Sequence, residues 1–205
     1  MILKNLETGP LGVNTYIIGD ETTKEAIVVD PGGDVERIMS ALAEDQLRCV
    51  MIFNTHTHWD HVGGNGELKR LTDAPLVTHP DEAPALQTTA AQAQMFGMHV
   101  PESPPADSTV VEGDVVKVGS IEAKVIELPG HSPCGLGLLL DGHAIVGDAL
   151  FAGSIGRTDF PGGSFEALIE NIRKKLFTLP DDTVVLPGHG PRTSVGREKK
   201  FNPFF

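Results

Sequence analysis

Four residues of metal-ligating type fall within six positions: His56, His58, Asp60 and His61, in the stretch Asn54-Thr55-His56-Thr57-His58-Trp59-Asp60-His61-Val62-Gly63-Gly64. The run before them, Cys49-Val50-Met51-Ile52-Phe53, is continuously apolar and reads as a buried strand. If the chain stays extended through His56 and His58, both imidazoles point to one side, because strand side chains repeat every two residues. Asp60 and His61 are expected in the turn that follows, with Gly63-Gly64 letting the backbone reverse tightly into a helix. One histidine here would read as a surface loop residue; three with an aspartate at this spacing do not. The set holds more nitrogen and oxygen than one tetrahedral ion takes from one segment, which points to two ions side by side.

Three further candidates stand later in the chain. His131 follows Glu127-Leu128-Pro129-Gly130, Asp148 follows Ile145-Val146-Gly147, and His189 follows Val185-Leu186-Pro187-Gly188. Each is the first potential ligand after an apolar strand and a glycine. Singly, Asp or His after Gly is a common turn residue. Taken with the opening stretch, they are expected to converge on one edge of the sheets that carry them.

The elements that must position these residues read as two similar halves. Val13 to Ile18 and Ala26 to Val29 form a hairpin closed by Asp30-Pro31-Gly32-Gly33. A helix with Asp34 as N-cap carries Val35, Ile38, Met39 and Leu42 on one face. The strand before the histidines and a helix after them follow. Pro75 to Thr78 reads as a short strand, 81–96 as a helix and 97–107 as an irregular loop. The pattern then restarts with hairpins over 115–128 and 136–146, a helix over 164–177 with Phe165, Leu168, Ile169, Ile172 and Leu176 inward, and a last strand from Thr183 to Leu186. Two sheets packed together, each covered by helices on its outer face, are expected.

Composition narrows the function classes. The 205 residues suit one large domain, 1–205, rather than two. A net charge of -12 argues against a broad nucleic-acid-binding face. No apolar run reaches the ~20 residues of a membrane helix, and the N-terminus lacks a charged-then-apolar signal pattern. With only Cys49 and Cys134 available, a reduced, cytoplasmic protein is expected, as monomer or small homo-oligomer.

The motif His56-x-His58-x-Asp60-His61, with His131, Asp148 and His189 in order, resembles the metallo-β-lactamase superfamily. The complete ligand set is similar to the glyoxalase II (hydroxyacylglutathione hydrolase) group. The stretch Phe151-Ala152-Gly153-Ser154-Ile155-Gly156-Arg157-Thr158-Asp159-Phe160-Pro161-Gly162-Gly163 and the ending Asn202-Pro203-Phe204-Phe205 resemble its short bacterial form, so the likeness covers essentially the whole chain. The resemblance implies an α/β, four-layer αββα sandwich with two pseudo-repeated halves and a binuclear centre. It implies that His56, His58 and His131 hold one ion, that Asp60, His61 and His189 hold the other, and that Asp148 bridges.

The chemistry matches such a ligand set. Two divalent ions lower the pKa of a bridging water toward neutrality, and the hydroxide attacks a carbonyl without a Ser, Cys or Lys nucleophile. Asp60 and Asp148 are the expected catalytic carboxylates. Mixed oxygen and nitrogen ligands suit zinc, iron or manganese alike, and two divalent ions are expected, with zinc taken as the first candidate. The substrate implied is a small-molecule thioester such as S-lactoylglutathione. The competing implication is a mononuclear iron persulfide dioxygenase of the same fold, or a hydrolase of another thioester or ester.

Around this set, Arg157, Arg192, Lys199 and Lys200 are candidate contacts for the substrate's carboxylates, with an Arg157–Asp159 pair as the alternative for Arg157. Asp30 is placed to orient a liganding His or to form a turn. Trp59 reads as a groove wall or as packing beneath its loop. Cys49 reads as inert core, Cys134 as a small buried side chain with an oxidisable thiol near the ligands as the alternative, His143 as a surface residue, and His79 and His99 as ordinary loop residues or as the rim of the pocket.

Overall fold

The computed structural model describes residues 1–205. It divides into two compact units, residues 1–110 with 117–122, and 111–116 with 123–205. No helix is long and apolar enough to cross a membrane.

The first unit is built on a six-stranded sheet in simple order. Strands β1 (Ile2–Thr8), β2 (Val13–Gly19) and β3 (Glu25–Val29) run antiparallel. Helix α1 (Val35–Glu44) then crosses over to β4 (Arg48–Phe53), which is parallel to β3. Helices α2 (Trp59–Val62) and α3 (Asn65–Thr72) lead to β5 (Leu76–Thr78), parallel to β4. A 3₁₀ turn (Ala83–Thr88), helix α4 (Thr89–Met95) and the short β6 (Ser108–Thr109) complete the sheet. The face of α1 read from the sequence is the one that packs: Val35, Ile38 and Leu42 are buried with Ile17, Val28 and Ile52, each burial contributing about 1.5–3 kcal/mol.

The second unit carries the other six-stranded sheet, ordered β14-β13-β10-β9-β8-β7. Its strands are β7 (Val115–Val118), β8 (Ile121–Glu127), β9 (Leu136–Leu140) and β10 (His143–Gly147). A small ribbon of β11 (Leu150–Phe151) and β12 (Ser154–Ile155) follows. Helix α5 (Phe165–Asn171) runs on through a π-helical stretch, Ile172–Leu176. Then come β13 (Val184–Pro187), β14 (Thr193–Ser194) and helix α6 (Val195–Phe201). Leu168, Ile172 and Leu176 are buried against Ile126, Val146 and Val185, whereas Phe165 stays exposed.

Several details depart from the sequence reading. Strand β1 has no clear sequence signal; it is an edge strand whose polar residues interrupt the apolar alternation. Residues 81–96 split into a 3₁₀ turn and a short helix, with Pro84 in the first turn of the former. Asp34 stands at the N-cap of α1 but does not cap it: its backbone is left-handed (φ 47°) and its Oδ2 accepts from Gly9 N at 2.9 Å instead. Ser164 does cap α5, accepting from Ala167 N.

Candidate metal centre

In the first unit, parallel pairing brings the polar residues together. Strands β3 and β4 are in register at Val29 and Phe53, and β4 and β5 at Phe53 and Val77. All three chains therefore leave the sheet at the same end, with Asp30 on one side of the segment from Asn54 to His58 and His79 to Glu82 on the other.

Asp30 is the anchor of this segment. It is 1% exposed and lies in the left-handed region at φ 49°. Its Oδ1 accepts from Thr55 N at 2.7 Å, and its Oδ2 from Thr55 Oγ1 at 2.6 Å and His61 Nδ1 at 3.0 Å. Since the Thr55 hydroxyl has given its proton to Asp30, the 3.0 Å contact with His56 Nδ1 has the imidazole donating. Both histidines thus carry the proton on Nδ1 and the lone pair on Nε2, the tautomer a metal ligand needs. The rings of His56 and His58 lie 4.6 Å apart and those of His56 and His61 4.1 Å apart, as expected of imidazoles gathered on one side. His61 Nε2 is 3.8 Å from Asp60 Oδ2.

Asp60 and His61 do not sit in an open turn. They lie in the short helix α2, which places them a step apart on a rigid turn. The two glycines after it also serve otherwise than expected. Gly63 has φ -59° and Gly64 φ -92°, both ordinary helical values. A Cβ on Gly63 would meet Gly32 O at 2.6 Å, and one on Gly64 would meet Pro31 O at 2.7 Å. The glycines let the backbone of α2 lie directly on the loop after Asp30.

In the second unit, β8 and β9 are antiparallel, β9 and β10 antiparallel, and β10 and β13 parallel. Strands β8, β10 and β13 therefore run the same way, and His131, Asp148 and His189 leave from the same end. His131 Nδ1 donates to the carbonyl of Arg157 at 2.7 Å, again leaving the lone pair on Nε2. Asp148 Oδ2 stands 3.6 Å from His131 Nε2 and 3.7 Å from His189 Nε2. These separations exceed a hydrogen bond. They match two donors of one tetrahedral ion, which at bond lengths of about 2.1 Å lie about 3.4 Å apart. The chemistry of both donor sets, imidazole Nε2 atoms beside carboxylate oxygens, fits divalent metal.

The remaining candidates fall as follows. The Arg157 guanidinium makes two 2.7 Å bonds to Asp159 and lies over the Phe160 ring at 3.8 Å. That guanidinium holds the Asp159 carboxyl down at about 2. Lys199 is paired with Asp181 at 2.6 Å, Lys200 lies 5.0 Å from the Phe201 ring, and Arg192 is exposed. Trp59 is 5% exposed with its ring 6.2 Å from Phe96, so it packs beneath α4. Burial pushes the Cys49 thiol up to about 11, the state of an inert core residue. Cys134 is half-buried. His79 is buried and accepts from Asp81 N, His99 is exposed, and His143 holds the carbonyl of Asp141.

Sequence reasoning missed one buried group altogether. Glu82, 3% exposed, accepts at Oε2 from Thr57 N at 3.2 Å and Thr57 Oγ1 at 2.8 Å. Its partner is 25 residues away in the chain and becomes a neighbour only through the β4–β5 pairing.

The sequence profile of the metallo-beta-lactamase superfamily matches residues 8–189. The hydroxyacylglutathione hydrolase GloC of Haemophilus influenzae is 37% identical over 195 residues, covering 93% of this chain and 92% of its own. Three solved structures are similar over nearly the whole chain. The B3 metallo-beta-lactamase BLEG-1 has a TM-score of 0.92 at 33% identity, covering 99% of each chain. The di-iron-bound form of TTHA1623 has a TM-score of 0.90 at 34% identity, covering 98% of this chain and 100% of its own. ETHE1 from Myxococcus xanthus has a TM-score of 0.85 at 34% identity, covering 99% of this chain and 84% of its own.

Proposed function

Because the chain belongs to the metallo-beta-lactamase superfamily and has its fold, we propose that it is a metal-dependent hydrolase of a thioester, with S-lactoylglutathione or a related hydroxyacylglutathione as substrate. The observation that carries the metal reading is the carboxylate of Asp148, which stands from His131 Nε2, and separately from His189 Nε2, at the spacing of two donors to one ion. The thioester rests on the likeness to GloC.

In this reading His56, His58 and His131 would hold one divalent ion, Asp60, His61 and His189 the other, and Asp148 would serve both. Zinc is the first candidate and iron the second, a relative having been crystallised with two irons. When bound, the ions supply an acidified water and positive charge for a developing oxyanion. The protein's own part is to turn His56, His61 and His131 by holding their Nδ1 atoms. Asp30 does so for His61 directly and for His56 through Thr55, and the Arg157 carbonyl does so for His131. Asp60, 8% exposed, would help hold the second ion and orient the attacking water. The partner is a small molecule, the protein acts as one domain in the cytoplasm, and no nucleic acid or membrane is required.

A second reading, persulfide dioxygenation, is favoured by the likeness to ETHE1. One experiment separates the two. Purified protein is assayed for S-lactoylglutathione hydrolysis and for oxygen uptake with glutathione persulfide, with a β-lactam as a third substrate and metal content measured on the same sample. Oxygen-independent thioester cleavage with about two metals per chain is expected. Oxygen-dependent persulfide turnover without thioester cleavage reverses the order. Asp148→Ala should lose both metal and activity; full two-metal occupancy in that variant removes the shared-carboxylate assignment.

A further inference from the structure

The segment that carries His56 and His58 is gripped at alternate residues. Thr55 gives its N–H and its hydroxyl to the buried carboxylate of Asp30. Thr57, two residues on, gives its N–H and its hydroxyl to the buried carboxylate of Glu82. The hydroxyl of Thr57 also approaches the Glu82 carbonyl at 3.2 Å. The two grips come from opposite sides. Asp30 ends β3 and Glu82 follows β5, the two parallel neighbours of β4. The histidines occupy the positions between and after the gripped threonines.

We propose that Glu82 is a positioning residue for the His56–His58 pair: its carboxylate fixes the Thr57 backbone, and with it the direction of the two imidazoles on either side. Two donors from one residue fix both its position and its rotation, which a single bond does not. Burial of an acidic side chain is costly unless donors compensate it, and here the donors belong to the ligand segment. The grip therefore ties the state of Glu82 to the geometry of the ligands. Asp30 alone holds only the entry to the segment; Glu82 holds its middle. The proposal rests on the reading of His56 and His58 as metal ligands.

The test is zinc affinity of the full chain, measured by competition with a chromophoric chelator, alongside the melting temperature of the metal-free protein. Glu82→Ala removes the acceptor, and the zinc dissociation constant should rise about 10- to 100-fold. Glu82→Gln retains an oxygen that accepts from both Thr57 donors, and should stay within about threefold of wild type. Thr57→Val deletes the hydroxyl donor but keeps the N–H, and should fall between them; it carries the test by itself if Glu82→Ala does not fold. Zinc affinities of Glu82→Ala and Thr57→Val equal to wild type, with only the melting temperature lowered, overturn the positioning role and reduce Glu82 to a stabilising contact. Equal loss in Glu82→Gln and Glu82→Ala also overturns it, because acceptor chemistry would then be irrelevant. Absence of zinc binding by the wild-type protein itself overturns the metal reading and this proposal together.

Discussion

The first unit holds its proposed ligand residues with buried side-chain carboxylates; the second holds its own with backbone. Around His56, His58 and His61, the fixing groups are Asp30 and Glu82, each accepting from both the N–H and the hydroxyl of a threonine. Around His131 and Asp148, the fixing groups are the carbonyl of Arg157 and a set of glycines. Gly130 (φ 130°) and Gly147 (φ 50°) precede the two ligands in backbone conformations that L side chains avoid. Gly156 lies so close that a Cβ there would be 1.9 Å from the Asp148 carbonyl and 3.0 Å from His131 Nδ1. The second unit has a buried carboxylate of its own, Glu198, but it accepts from Thr193, Gly153 and Asn202 and so ties α6 to the β11–β12 ribbon rather than to a ligand. The same task is met by side-chain carboxylates in one place and by a backbone carbonyl and glycines in the other. The two solutions should fail differently when mutated.

The largest effect is expected at Gly156. Alanine there has to displace the Asp148 carbonyl or the β12 backbone, an overpacking that typically costs 1–3 kcal/mol and here falls on two ligands at once. Metal content should drop below one ion per chain and activity by on the order of 100-fold. Gly153→Ala is the control. It has φ 74° but open space around its Cβ, so it should lower the melting temperature through backbone strain of about 1–2 kcal/mol and leave metal content intact. Equal metal loss in both would show that glycine strain, not the close approach at Gly156, governs the second unit.

Asp30 is the corresponding point in the first unit. Asp30→Ala leaves the Thr55 N–H, the Thr55 hydroxyl and His61 Nδ1 without their acceptor. A loss of metal affinity of about 10- to 100-fold is expected. Asp30→Asn suits the left-handed backbone and keeps one acceptor oxygen, so it should lose less. If Asn and Ala are equally damaging, charge rather than hydrogen-bond geometry does the holding, and the contrast between the units becomes electrostatic.

The difference between the units also accounts for what the sequence could and could not say. The apolar run 49–53 and the alternation of His56 and His58 are local signals, and the structure puts the strand at Arg48–Phe53 and the two rings 4.6 Å apart. Codirectional strand ends carrying His131, Asp148 and His189 were legible for the same reason: apolar run, glycine, ligand. Glu82 was not, because nothing near it in sequence marks it and its partner is reached only through strand pairing. The glycines after α2 read from sequence as a chain reversal; their role in close backbone approach depends on where Pro31 and Gly32 lie, which no local pattern reveals. The basic ending reads as carboxylate recognition; that Lys199 pairs with Asp181, a partner outside the run of cations, is not a local signal.

A smaller effect tests whether backbone alone sets the Arg157 carbonyl. The side chain of Arg157 is clamped by Asp159 and stacked on Phe160, but both charged groups are exposed. Exposed ion pairs contribute about 0–1 kcal/mol. Asp159→Asn should therefore change metal affinity by less than about fivefold, the equivalent of 1 kcal/mol. A loss as large as that of Asp30→Ala would mean that the second unit, too, depends on a side-chain acceptor.

The smallest effect on metal is expected at a carboxylate grip of the first unit that touches no ligand. Asp20 accepts from Thr22 N and Thr23 N at Oδ1, and from Ser120 N and Oγ at Oδ2. These donors, with Ser120 contributing most, hold its pKa well below the ordinary carboxylate range. A pKa depressed on folding contributes stability that is fully present above the unfolded value, about 3.9, and lost as pH falls through the folded value. Asp20→Asn removes the ionisable acceptor. It should lower the melting temperature at pH 7, and the gap from wild type should narrow as pH is taken below about 4, where the wild-type carboxylate begins to lose its advantage. Zinc affinity at pH 7 should not change, because the grip joins the β2–β3 turn to the turn at Ser120 and holds no ligand segment. A fall in affinity comparable to that of Asp30→Ala would show that any loosening of the first unit releases the metal. The selective role assigned to Asp30 would then dissolve into general stability.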